Sequence, residues 1–188
     1  MSANFFGWRA LAFAVALVAV PGSLLATTVR IAGLDELVHE SHMVVRAHVA
    51  FVDERAGEET RKFQTRIGLE VAESVKGFDA GQTTYELVLP GGKLGPYTMA
   101  IPGMPIFAPG QEVVLLVKHT EAGDTITGLG QGIFNVDRRS GEARARRLDA
   151  GDARMVDVNG RDARLELIDA PLVELMTRLR ALSAEVPR

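Results

Sequence analysis

The stretch Phe63-Gln64-Thr65-Arg66-Ile67-Gly68-Leu69-Glu70-Val71 decides the fold class of this chain. Its odd positions are Phe63, Thr65, Ile67, Leu69 and Val71, and its even positions are Gln64, Arg66, Gly68 and Glu70. A period of two sends successive side chains to opposite faces of an extended strand, so one face is turned inward and the other meets water. Upstream, Met43-Val44-Val45-Arg46-Ala47-His48-Val49-Ala50-Phe51-Val52 is rich in β-branched residues and reads as a mostly buried strand, ending in a polar turn over 53–61. Downstream, residues 76–81 make a connection and 83–89 a third strand. Residues 112–118 carry the unbroken run Val113-Val114-Leu115-Leu116-Val117, which predicts a strand buried on both faces. Residues 124–129 and 132–138 read as a hairpin, and weaker strands are expected at 144–148 and 154–158.

Helical signals are confined to the two ends. Leu34, Leu37 and Val38 predict a short helix over 34–41, with Asp35 and Glu36 favouring its first turn through the helix dipole. Near the C-terminus, Asp169 is the expected N-cap and Pro171 sits in the first turn. Leu172, Leu175, Met176, Leu179 and Leu182 then form an apolar stripe that should dock on the sheet. Short strands with helices only at the ends predict a mainly β fold: a small antiparallel OB-like barrel with a short N-terminal helix and a C-terminal amphipathic helix.

Residues 1–26 read as a secretory signal, with one cation at Arg9, an apolar run over 10–20, a Pro21-Gly22 break and a small-residue end at Ala26. That run is shorter than the roughly 20 residues needed to span a bilayer, so no stable membrane insertion is expected after the leader is removed. Residues 27–188 are then a single domain in the periplasm or outside the cell. The chain carries 21 basic and 24 acidic side chains, and loss of Arg9 with the leader makes its formal charge −4 instead of −3. This balance gives no general attraction to nucleic acid. Cysteine is absent, which excludes disulfides, thiolate metal sites and a cysteine nucleophile, and leaves an exported domain to be held by its hydrophobic core.

Residues 90–110 differ in kind. Five prolines and five glycines alternate through them with Tyr97, Met99, Ile101, Met104, Ile106 and Phe107. Proline removes donors and glycine opens positive φ, so the segment is an ordered loop with one short strand around 97–101. Its apolar content exceeds what a solvated linker needs. It either plugs an open end of the barrel or offers a contact patch, and the plug is preferred because a loop of this length needs anchoring contacts. Tyr97, Met99, Met104 and Phe107 are therefore the candidate binding residues.

The remaining motifs are weaker. His39 and His42 lie three apart on the proposed helix, with Glu36 or Glu40 near enough in sequence to complete a metal site for a metal-binding protein or metal-dependent hydrolase. A surface helix pair with satisfied isolated histidines explains the spacing better, and the metal site is the alternative. Gly128-Leu129-Gly130-Gln131-Gly132 invites comparison with a nucleotide-binding loop, but a strand pattern follows it where a helix N-terminus would be required. Glycines that permit a bulge or close strand approach account for it better. The cluster of Arg138, Arg139, Arg144, Arg146 and Arg147 reads either as a contact for an anionic partner or, interleaved with Asp137, Glu142 and Asp149, as a solvated strand or hairpin face. No Gly-x-Ser-x-Gly, His-Glu-x-x-His or Ser-x-x-Lys signature occurs, so neither an enzyme nor a cofactor is expected.

Several of these segments also carry a resemblance: the strand Met43 through Val49, Leu89-Pro90-Gly91-Gly92, Ile101-Pro102-Gly103-Met104-Pro105-Ile106-Phe107, Pro109-Gly110-Gln111-Glu112, and Gly128 through Phe134. Over residues 29–136 the chain resembles a group of uncharacterised exported bacterial β-barrel proteins. Its first strand is also similar to that of OB-type barrels, including the netrin and metalloproteinase-inhibitor group. The resemblance implies export and a barrel fold. Inhibitors of that group depend on an N-terminal cysteine and disulfides, and their mechanism does not transfer to a chain without cysteine. The expectation for function is an exported, non-enzymatic module that binds an unknown protein partner, with a protease-binding or inhibitor-like protein as the alternative.

Overall fold

The structure is a computed structural model and describes residues 28–56, 63–79, 81–139, 141–147, 153–165 and 167–185. The proposed leader lies outside the described residues. The chain runs β1 (Thr28–Arg30), α1 (Leu34–Glu40), β2 (Met43–Ala56), β3 (Phe63–Lys76), β4 (Thr84–Pro90), β5 (Gly92–Leu94), β6 (Tyr97–Met99), β7 (Glu112–Thr120) and β8 (Gly123–Ile126). A 3-10 turn (Leu129–Gly132) leads to β9 (Ile133–Asp137), β10 (Arg144–Arg147), β11 (Arg154–Val156), β12 (Asp169–Pro171) and α2 (Leu172–Ala184). The fold is mainly β and antiparallel, and no helix among the described residues is long and apolar enough to cross a membrane.

An eight-stranded sheet follows the order β12-β10-β9-β7-β2-β3-β4, and β8 also pairs with β7. The alternation at residues 63–71 is realised in β3, where Ile67 and Leu69 are buried. β7 is buried on both faces, as its apolar run predicts. Val113, Leu115 and Val117 join one core with Val45, Ala47, Val49, Ile67, Leu69, Leu87, Leu89, Ile126 and Ile133. Val114 and Leu116 join the other, with Val44, Phe134 and Ala145 beneath Leu34, Leu37 and Val38 of α1 and Leu172, Leu175, Met176 and Leu179 of α2. Burying each of these large side chains contributes about 1.5–3 kcal/mol, which is how a chain without disulfides is held.

The first core has no helix over it. It closes because the sheet curls. A flat path β4-β3-β2-β7-β8 would separate its edges by about 19 Å, four strand spacings. The Tyr85 hydroxyl of β4 nevertheless hydrogen-bonds to the Asp124 carboxylate of β8. The curl has a local cause: the β2–β3 pairing shifts register between Val44 and Val45, between Arg46 and Ala47, and between Val49 and Phe51. Each irregularity adds bend and right-handed twist to two long strands. No ladder joins β4 to β8 among the described residues, so closure into a barrel is not part of the described sheet.

Three local expectations are corrected, and one pairing is new. Residues 124–129 and 132–138 do not pair with each other; the 3-10 turn moves the chain along one edge of β7, so β8 takes Val117 to Thr120 and β9 takes Val113 to Leu115. Asp169 does not cap α2, because Asp169–Pro171 forms a strand on β10 and the Asp169 carboxylate accepts hydrogen bonds from Arg144 and Arg146. β2 continues to Ala56, where cross-strand pairing with β3 overrides the polar composition expected to make a turn. β1 pairs in parallel with β11, a partner 126 residues away at Thr28 and Arg154.

Candidate functional site

The 90–110 segment lies over the open end of the curled sheet. Gly91 (φ 99°) and Gly92 (φ 126°) turn the chain out of β4. A Cβ on Gly91 would stand 2.9 Å from the Met99 carbonyl oxygen, and one on Gly92 would stand 2.6 Å from Thr65 Oγ1, so only glycine lets the β5–β6 hairpin pack this closely. Thr65 Oγ1 donates to the Gly91 carbonyl at 2.9 Å. Beyond the hairpin, the Met104 N–H donates to the Ile101 carbonyl (3.0 Å) and the Gly130 N–H to the Gly103 carbonyl (2.8 Å), tying the loop to the 3-10 turn. The Gly110 N–H bonds the Val49 carbonyl at 2.7 Å and hands the chain into β7.

This arrangement leaves an apolar cavity of about 180 Å³ between the loop and the ends of β2, β3 and β4. Val52, Ile67 and Leu89 form its sheet side, and Met99, Ile101, Met104, Ile106 and Phe107 its loop side, with Glu54 and Thr65 among its polar groups. Three of the four residues singled out from the sequence meet here. Phe107 is buried in the concave core and Met104 packs against that core, which is the plug. Met99 is 40 % exposed and Ile106 91 % exposed, so the same loop also presents apolar surface. Tyr97 is not among the lining residues; it sits on the exposed hairpin.

The histidines assemble differently from the proposed helix pair. His39 is exposed on α1, Glu36 pairs with Arg30, and Glu40 pairs with Lys118 at 3.5 Å. His42, just before β2, instead approaches Asp124 (3.7 Å). His119 Nδ1 lies 2.8 Å from the same carboxylate, and the two imidazoles meet edge to face with centroids 6.2 Å apart. Burial works to raise the Asp124 pKa, yet hydrogen bonds from Tyr85 and His119 and the nearby His42 together hold it below the usual carboxylate value. The Tyr85 hydroxyl is pushed up by burial and by its anionic partner. Among the described residues no group of three His, Asp or Glu side chains is placed to hold a metal ion. The cluster ties β2, β7, β8 and β4 together, and none of its hydrogen bonds involves a serine.

The cationic residues are also engaged. Glu112 is buried and receives Arg138 at 2.7 and 2.9 Å and Arg46 at 2.7 Å. Arg46 also bonds Glu73, which pairs with Arg180 of α2. Hydrogen bonds from Arg138 outweigh burial and hold the Glu112 pKa at about 2. Arg139 pairs with Asp137 at 2.7 Å, Arg144 and Arg146 with Asp169, and the buried Arg147 guanidinium lies 5.2 Å from the centre of the Phe134 ring. In the arginine-rich stretch, Arg138, Arg144 and Arg146 thus make ion pairs to residues far along the chain, Arg139 pairs locally and Arg147 lies against an aromatic ring.

Sequence reading missed three residues that position the site. Gln131 is buried: its Oε1 accepts from the Ala32 N–H (3.0 Å), and its Nε2 donates to the carbonyls of Arg30 (2.9 Å) and Gly128 (3.2 Å). It brackets the N-terminal segment to the 3-10 turn. Gly128 (φ 65°) permits this, since a Cβ there would lie 2.7 Å from Leu37 Cδ2. The glycine cluster therefore serves close approach, to the first helix from a 3-10 turn and not between strands. Ser41 Oγ and Thr127 Oγ1, both buried, share a hydrogen bond of 2.7 Å that fastens the end of α1 to the same turn. A lone Gln, Ser or Thr carries no spacing signal for such contacts. Neither a family model nor a curated protein matches the chain.

Proposed function

We propose that this protein is an exported, non-enzymatic binding module that engages its partner through the apolar cavity under the 90–110 loop. The cavity is the single observation that carries the reading: about 180 Å³ of apolar space, ringed by Met99, Met104 and Phe107, opening beside exposed Ile106. An apolar cavity of roughly 150 Å³ takes a benzene ring, so this one has room for one large apolar group. The methionines suit it to occupants of varied shape, since their unbranched thioether chains adapt at little cost. The same reading takes the curled sheet as an OB-like barrel with its seam between β4 and β8, supported by the strand order β4-β3-β2-β7-β8 and the Tyr85–Asp124 bond across that seam. Export rests on the apolar leader pattern of residues 1–26.

Thermal unfolding with indole as a minimal occupant tests the reading. Millimolar indole should raise the melting temperature of the wild-type protein, because a ligand that binds only the folded state stabilises it by mass action. Met104→Glu, which puts a charge against the cavity, should fold and lose the effect. An equal rise in both, or none in the wild type, would reject the cavity as the binding site.

A further inference from the structure

The cavity beneath the 90–110 loop is apolar over most of its wall, but its charge is one-sided. Among the described residues that line it, Glu54 is the one charged side chain, and there is no Lys, Arg or His. Glu54 is exposed, which puts it at the mouth. Its carboxylate and the Thr65 hydroxyl converge beside Gly92, where a Cβ would stand 2.6 Å from Thr65 Oγ1 and 3.4 Å from Glu54 Oε1. Because the Thr65 proton is donated to the Gly91 carbonyl at 2.9 Å, this hydroxyl offers only lone pairs to an occupant. The arginines nearest in the sheet are turned elsewhere: Arg66 bonds Glu86 and lies 3.8 Å from Asp53, and the Arg55 charge helps to lower the Glu86 pKa. Glu54 itself has no ion-pair partner among the described residues.

We infer that the occupant of the cavity is a small organic cation: a ring-sized apolar group with a protonated amine on a short chain. The apolar space of about 180 Å³ takes the ring. The carboxylate at the mouth takes the charge, and the lone pairs of Thr65 accept an N–H. The arrangement also selects against the opposite sign. A carboxylate-bearing occupant of the same shape would meet Glu54 with no cation in the lining to offset it. Since Glu54 is exposed, water screens the pair, and the charge decides the choice among occupants more than the strength of binding. The inference rests on the cavity reading above and names the chemical class of its occupant.

Three compounds built on one ring system test it: tryptamine, indole and indole-3-acetate, each titrated calorimetrically into the whole protein at neutral pH and low salt. Tryptamine should bind about two- to fivefold more tightly than indole, and indole-3-acetate more weakly than indole. Glu54→Gln should bind tryptamine and indole alike and still fold, since the side chain is exposed. Glu121→Gln removes the same charge from the turn between β7 and β8, outside the cavity, and should keep the wild-type order. That control separates a local pair from the general attraction of an acidic protein for cations. Added salt should narrow the gap between tryptamine and indole. Equal affinities in the wild type, or a preference that Glu54→Gln leaves unchanged or Glu121→Gln abolishes, would overturn the organic cation. If indole still stabilises the protein in that case, the cavity reading survives; if indole also fails, both fall.

Discussion

The two faces of the central sheet are closed in different ways. Over Val44, Val114, Leu116 and Phe134 lie two helices whose apolar stripes pack onto the strands. Over the opposite face the strands curl onto each other, and the remaining gap is covered by a Pro/Gly loop. A helix brings a regular row of side chains to fill a surface. A loop bends at fixed points set by its prolines and glycines, so only Phe107 and Met104 reach the core and about 180 Å³ stays empty. Both faces hold a buried apolar core, and the proposed capacity for binding belongs to the second.

The largest effect that would sharpen this contrast is Phe134→Ala on the helical face. It removes a fully buried ring and the support beneath Arg147, and should cost about 3–5 kcal/mol in urea unfolding. Gln131→Ala should cost about 2–4 kcal/mol, since the Ala32 N–H and Arg30 carbonyl lose their buried partner; a change below 0.5 kcal/mol would show that the bracket is dispensable. Glu112→Gln should cost about 1–3 kcal/mol at neutral pH. Because the folded-state pKa is depressed from 4.5 to about 2, this contribution is complete above about pH 4.5 and is lost as pH falls towards 2. The acid limb of a stability–pH curve should flatten in the variant, and an unchanged limb would contradict the assignment. On the loop face, Ile106→Ser should alter stability by less than about 0.5 kcal/mol, because the side chain is 91 % exposed. A large loss there would mean the loop is structural throughout and would erase the distinction between the faces.

Most of the sheet was legible in the chain because local pattern and tertiary role agree there. The alternation at Ile67 and Leu69, the two-faced apolar run of β7 and the α2 stripe each encode their own burial. Three of the four residues singled out in the loop line the cavity, since apolar side chains in a Pro/Gly loop have few places to go but the core. What was not legible depends on partners far along the chain. Asp169 looked like a cap until two arginines on β10 claimed it, and the 3-10 turn that places β8 and β9 on one edge of β7 hides behind ordinary strand patterns. His42 looked paired with His39, yet its ionic contact is Asp124, 82 residues away. Gln131 carries no pattern at all, because its role is to satisfy three backbone groups that only the folded chain brings near it.

The central claim is that the loop-covered face binds and the helix-covered face does not. Methionine methyl NMR tests it directly, because Met99 and Met104 line the cavity, Met43 lies in the concave core and is not among the lining residues, and Met176 is on the buried face of α2. On titration with indole, the methyl signals of Met99 and Met104 should shift together with one affinity while Met43 and Met176 stay still. Shifts centred on Met176, or no movement at Met99 and Met104, would contradict the account.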